Sequence, residues 1–310
     1  MTKALHECVK DQCCSENLYE EIPIKTWDDL VKFRAKLYDE KKDSNKRWLF
    51  RGQEKSNWCL NTTLERLLLE RFNEPLTEAW RYERLLLRQF ARAGDRFLTW
   101  RPQSPMEWLA VMRHHGGPTR LSDWTYSFWI ALYFAVEKAN HSSTCAIWAL
   151  DIAELKENVR EKKGFSKLKN ILKNGSNTPK EFDFILDSKN KVGIWPVNPF
   201  RLNERLYMQQ GVFLLPLDVT RPFMMNLQAV MPEKPKSGHL YKILISSNKD
   251  LLHKCLIELQ RMNINTETLF RGLDGFARNF SNYPGTPILF EDISNKMLDK
   301  PLRKLIYPTY

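Results

Sequence analysis

The chain has 310 residues, 43% hydrophobic and 12% aromatic, which is enough apolar material for one large buried core or two small ones and excludes disorder over most of its length. No run approaches the roughly 20 apolar residues that a membrane-spanning helix needs, and the opening MTKALHECVKDQCC is too polar for a secretory signal, so a soluble, cytoplasmic protein is expected. The net charge of +11 is uneven: residues 1–30 hold three Lys against seven Asp and Glu, and the remainder carries about +15, which favours a polyanionic partner or a phosphate-rich ligand. The six cysteines form no paired zinc-binding pattern. The set His6, Cys8, Cys13 and Cys14 has awkward spacing for tetrahedral coordination, so no metal is expected and reduced thiols are.

In chain order, the first 22 residues have no sustained periodicity and read as a tail or a small helical appendage. Thr26, with Asp28 and Asp29 behind it, predicts a helix start, and Leu30, Phe33 and Leu37 continue one face to about Glu40. After the charged KKDSNKR, Trp48, Leu49 and Phe50 predict a short strand running into Arg51 and Gly52. From Thr63 to Ala93 the pattern is helical twice over, broken near Asn73 to Pro75. Arginines 66, 71, 81, 84, 88, 92 and 96 decorate it, as a phosphate-binding stripe or as a solvated face bridged to Glu65, Glu70, Glu78 and Glu83. Ser104 and Pro105 open a further helix, Met106 to Arg113.

That helix leads into His114 to Ala135, a polar turn followed at once by an apolar helix with Ser127 as its N-cap. Gly116, Gly117 and Pro118 shape a tight loop, and Thr119, Arg120, Ser122, Asp123, Trp124 and Thr125 place hydroxyls, a cation, an anion and an indole within seven positions. The bland alternative is a capped helix after a turn in which Asp123 and Arg120 merely pair. Thr144 to Leu150 predicts a core strand, and the lysine-rich 156–191 a surface excursion with a short helix around Phe165 to Leu172. Strands are expected at Gly193 to Val197, Gly211 to Leu217 and Leu240 to Ile245. Helices are expected at Lys249 to Met262 and Thr266 to Phe280.

Three polar clusters thus sit at the mouths of apolar elements: Phe50-Arg51-Gly52-Gln53; His114 to Thr125; and Asn203, Arg205, Gln209, Gln210, Gly211 and Phe213. In the order FRGQ, HxGxPTRLxDWT…ALYFA, RLxxQQGxF and TLFRGLDGFARNF, this pattern resembles the FRG domain over about residues 24 to 282, with Ser122, His115 and Arg271 departing from the usual family residues. The resemblance implies a domain at 24–282, bounded by a tail at 1–23 and an extension at 283–310, in bacterial proteins several of which are associated with defence against phage. A fainter similarity to ADP-ribosyltransferases implies an α+β fold with a mixed sheet, and NAD as substrate. Under that mapping Arg51 holds the dinucleotide phosphates with Gly52 allowing close approach, Thr119 to Thr125 wall the nicotinamide pocket, and Gln210 takes the third-motif position.

Residue chemistry fits these roles. A guanidinium grips two phosphate oxygens at once, Arg205 offers a second, and Trp124 can stack on an aromatic ring. Asp123 can stabilise positive charge on the ribose or take a proton from the incoming nucleophile, and His114 can carry that proton instead. Glutamine at 210 cannot act as a base, so Asp123 or Glu204 must supply the charge. Arg51 paired to Asp123, Gln210 satisfying buried backbone and His114 as a core residue are the purely structural readings. The sequence leads to an NAD-dependent ADP-ribosyltransferase or NAD glycohydrolase, a toxin or defence effector modifying a macromolecule, DNA or RNA among the acceptors, and open to control by an antitoxin or regulatory partner. The alternatives are a non-enzymatic module that recognises nucleic acid or a nucleotide, and a metal-free hydrolase using His114 and Asp123, for which no nucleophile elbow is present. All readings require Arg51, Asp123 and Gln210 to line one pocket.

Overall fold

The computed structural model describes residues 18–39, 47–140, 143–161, 186, 191–197, 204–231, 238–246, 248–270 and 272–279. The elements in chain order are β1 (Glu20–Ile24), α1 (Trp27–Leu37), β2 (Trp48–Gln53), α2 (Thr63–Glu65) passing into a π-helical stretch (Arg66–Phe72), α3 (Ala79–Gly94), α4 (Pro105–His114), β3 (Ser122–Thr125), α5 (Phe128–Val136), β4 (Thr144–Asp151), α6 (Ile152–Glu161), β5 (Ile194–Val197), α7 (Glu204–Met208), β6 (Gly211–Pro216), α8 (Phe223–Gln228), β7 (Leu240–Ser246), α9 (Lys249–Arg261), α10 (Thr266–Leu269) and α11 (Leu273–Asn279). The seven strands form one mixed sheet in the order β1-β7-β4-β2-β3-β6-β5, in which only the β1–β7 pair is parallel. The fold is α+β, as expected.

Strand periodicity divides the core. On β2 and β4, Leu49, Trp148 and Leu150 belong to one apolar cluster, and Phe50, Ile147 and Ala149 to the other, as alternation across a pleated sheet requires. The first cluster is completed by Met106 and Leu109 of α4, Leu155 of α6 and Phe223 of α8; the second by Leu30 of α1, Ala131 of α5 and Leu252 of α9. Helices therefore cover both faces, and the sheet's middle strands are buried on both sides.

Local chemistry sets the helix starts. Thr26 forms a reciprocal capping box with Asp29, Ser104 caps α4 through Glu107 N, and Ser127 caps α5 through Ile130 N. The break after the π-helical stretch is Asn73, with φ of 54°. Several expectations need correction. Glu20–Ile24, placed in the tail, is an edge strand; the polar turn ends in strand β3; and the helix expected over Thr266 to Phe280 is two helices divided at Gly272, whose φ is 100°. Both border strands contain a proline, Pro23 in β1 and Pro196 in β5. Cys145 and Cys255 are buried free thiols, whereas Cys59 is disulfide-bonded, against the expectation for it. The helix expected around Phe165 to Leu172, residues 1–17 and the 283–310 extension lie outside the described residues. No helix among the described residues is long and apolar enough to cross a membrane.

Candidate functional site: an arginine cluster around Asp123

The centre of the sheet brings the first two polar clusters together. Arg51, on β2, reaches to the neighbouring β3, where its Nη1 donates to Ser122 Oγ at 3.1 Å and to the main-chain oxygen of Asp123 at 2.7 Å. Its Nε is buried without a partner. Burial pushes the Arg51 guanidinium down to about 10, with Arg66 and Arg113 pushing the same way and Asp123 opposing them. The purely structural reading had Arg51 paired to the Asp123 carboxylate; the contact is to its backbone instead.

The carboxylate is held by a residue the sequence did not single out. Arg113, at the end of α4, donates from Nε to Asp123 Oδ2 at 2.7 Å and again from Nη2, while its Nη1 lies 3.4 Å from Thr63 Oγ1. Asp123 remains 44% exposed and Arg113 18%. Arg66, at the first position of the π-helical stretch, completes this side. Its pKa is lowered first by burial and next by repulsion from Arg113, ahead of the attractions of Glu70, Asp123 and Glu65. Arg205, on α7, approaches from the far side: its Nη1 donates to His114 O at 3.3 Å and its guanidinium lies 4.6 Å from the centre of the Phe270 ring. Its pKa too is lowered by burial, with Asp123 opposing and Arg113 and Arg278 adding. Asp123 thus acts on the guanidiniums of Arg51, Arg66 and Arg205 and is bound by that of Arg113, while Glu70 also attracts Arg66 and Glu137 also attracts Arg205.

Thr63 ties the loop to α2. Its hydroxyl accepts from Thr119 N at 3.0 Å and donates to Thr119 O at 3.2 Å, and Leu64 N donates to the same carbonyl. Thr119 is fully buried, and its own hydroxyl accepts from Leu121 N. Arg120 turns away from Asp123 and forms a buried, forked ion pair with Glu83 of α3, Nε lying 2.7 and 2.9 Å from the two carboxylate oxygens. The bland pairing of Arg120 with Asp123 is therefore replaced by two separate pairs, Arg120 with Glu83 and Arg113 with Asp123.

The remaining predicted residues scatter around this centre. Trp124 is 3% exposed, and its indole N–H is committed to Ser122 Oγ at 3.1 Å. Thr125 donates to Gln209 O and accepts from Ser127 N, a splice between β3, α5 and the turn before β6. The ring of His114 meets that of His115 edge-on at 4.7 Å. Gln210 is exposed at φ of 47°, its carbonyl accepts from Tyr126 N, and it lines a cavity of about 880 Å³ together with Met262, Thr268, Leu273 and Phe276. Neither Arg51 nor Asp123 lines that cavity.

Two residues of the Phe-Arg-Gly-Gln motif have structural explanations. A Cβ on Gly52 would lie 2.0 Å from Ala131 O and 2.6 Å from Ala135 N, so the glycine admits helix α5 against the sheet. Gln53 is buried, donating to Cys59 O at 3.0 Å and accepting from Trp148 Nε1 at 2.7 Å. Arg51 is thus the motif residue left with a donor unspent.

Residues 46–144 match the family model of the FRG domain. The match runs from just before β2 to the first residue of β4. It therefore takes in Arg51, Arg66, Arg113 and Asp123, while Arg205 and Gln210 come from beyond it. No curated protein and no solved structure matches the chain. Among the described residues, no group of three or more His, Cys, Asp and Glu is placed to hold a metal ion.

Proposed function

We propose that this chain binds the phosphates of a nucleotide at the cluster of Arg51, Arg66 and Arg113, from the region similar to the FRG domain, and Arg205, with the pyrophosphate of NAD as the leading ligand. The observation that carries this reading is the crowding of guanidiniums: Arg51 and Arg113 both donate to Asp123, and Arg66 and Arg205 are each repelled by Arg113, in a partly buried setting where repulsion is screened less than at the surface. Such an arrangement costs stability in the empty protein, and an anion that accepts several charge-assisted hydrogen bonds offsets that cost. The unspent Nε of Arg51 and the repulsion between Arg66 and Arg113 both point to a missing acceptor.

A second reading adds chemistry to binding, and Asp123 favours it. This carboxylate sits within the cation cluster yet stays 44% exposed. If NAD is bound there, cleavage of the bond between nicotinamide and ribose sends the electron pair to nicotinamide, and Asp123 stabilises the positive charge left on the ribose until an acceptor nucleophile or water attacks. Gln210 lines a cavity that Asp123 does not and Trp124 is buried, so this reading rests on Asp123.

Isothermal titration with NAD and with inorganic pyrophosphate, at low and at 0.5 M salt, tests the binding reading. Affinity is expected to fall with salt and to drop about tenfold or more in Arg66→Ala, as loss of a hydrogen bond to a charged group implies. No heat with either compound at millimolar concentration overturns it. Release of free nicotinamide by wild type, abolished in Asp123→Asn with NAD binding retained, supports the second reading; binding without release restricts the domain to recognition.

A further inference from the structure

Helix α3 buries one side and presents another that the arginine cluster does not use. At about 100° per residue, Trp80, Arg81, Arg84, Leu85, Arg88 and Arg92 fall within an arc of roughly 140°, and all six are exposed. The opposite side holds buried Ala79 and Glu83, the latter bound to Arg120. Within α3 the exposed arc carries four arginines and no acid; Glu78, at the helix start, lies 4.0 Å from Arg81, and Asp95, just past the helix end, lies 3.5 Å from Arg101. Exposed rings accompany the cations. Phe72, Trp80 and Phe97 are 58%, 42% and 74% exposed, and each lies beneath an arginine, with Arg71, Arg84 and Arg96 at 5.4, 5.9 and 4.7 Å from the ring centres.

We infer that this face of α3, extended by Arg71-Phe72 at one end and Arg96-Phe97 at the other, is a docking surface for single-stranded nucleic acid. The arginines supply the track for the phosphate backbone, and the rings supply platforms on which unpaired bases stack. A duplex keeps its base faces stacked inside and leaves the exposed rings without partners. An anionic membrane is the poorer fit, because a helix lying in a bilayer interface sinks a continuous apolar face into lipid, and the apolar face of α3 is already packed on the protein. The inference does not depend on what the Asp123 cluster binds.

Fluorescence anisotropy with a labelled 20-nucleotide oligo-dT, and with the matching oligo-U, measures it on the full chain. Wild type is expected to bind both more tightly than a duplex of equal length. Arg84→Glu/Arg88→Glu/Arg92→Glu should bind at least tenfold more weakly, with the slope of log affinity against log salt shallower by about 2, since each neutralised single-strand phosphate contributes about 0.7. Trp80→Ala should lose about tenfold with the salt slope unchanged, the mark of lost stacking. Thermal melting shows that both variants fold, and Arg66→Ala serves as the control that keeps oligonucleotide affinity. The inference is overturned by triple-variant affinity equal to that of wild type, by equal binding to duplex, by loss of binding in Arg66→Ala alone, or by binding to phosphatidylserine vesicles without binding to either oligonucleotide.

Discussion

Replacing Gly52 with alanine separates a glycine kept for packing from one kept for a ligand. The added Cβ meets Ala131 O at 2.0 Å and Ala135 N at 2.6 Å. Carbon and its neighbours sit best at about 3.5 Å or more, so the overlap with the carbonyl is roughly 1.5 Å. Both obstacles are backbone atoms of α5, which cannot rotate aside as a side chain would, and α5 is wedged between the sheet and α9 by buried Phe128, Ala131 and Leu132. The cost should reach at least the top of the usual overpacking range, about 3 kcal/mol. For a domain of this size that lowers the melting temperature by roughly 6–12 °C. Gly116→Ala provides the scale: its Cβ meets nothing, and only the φ of 82° is unfavourable, so its cost should be about 1 kcal/mol. Differential scanning fluorimetry of the three proteins decides. Gly52→Ala melting within about 2 °C of wild type, or above Gly116→Ala, refutes the packing account.

Glu83→Ala strands the buried Arg120 guanidinium and should destabilise by about 3–5 kcal/mol in urea, whereas Glu83→Leu combined with Arg120→Met should recover much of the loss. Burial pushes the Glu65 carboxyl up to about 8, while the Phe223 N–H donates to it at 3.0 Å and opposes the shift. The folded protein then holds a proton that the unfolded chain releases above its ordinary pKa of about 4.5, so stability contributed by the neutral form is complete below that pH and is lost as pH rises to 8. Glu65→Gln should flatten the decline in urea midpoint across that window; an unchanged pH profile counts against it. Arg66→Ala should leave the melting temperature unchanged or raise it, by removing repulsion from Arg113, while weakening pyrophosphate binding; a fall in both speaks against a site built at the expense of stability.

What the sequence made legible was chemistry confined to a few neighbouring residues. Thr26, Ser104 and Ser127 cap helices through hydrogen bonds three positions away, so helix starts could be read directly. Strand β3 could not, because its four residues Ser-Asp-Trp-Thr look polar and turn-like until β6 and β2 flank them. The strand Glu20–Ile24 likewise has meaning only beside β7, some 220 positions later. At the site, the sequence singled out Arg51 and Asp123, and its structural readings paired the carboxylate with Arg120 or with Arg51. The true partner, Arg113, lies a helix end away and reads locally as a basic residue favouring a helix C-terminus. The turn before β6 carries Gln210 to the cavity beside α10 and α11, a placement set by tertiary packing rather than by motif order.

The prolines at the two margins of the sheet bear on how this protein behaves in a crowd. An outermost strand normally offers a full row of amide hydrogens to any passing extended chain, and is where neighbouring molecules begin to zip together. With Pro23 on one side and Pro196 on the other, each margin lacks a donor at one rung. Growth by strand addition is thereby discouraged at both flanks, and substituting Pro196 with valine would restore a recruiting edge.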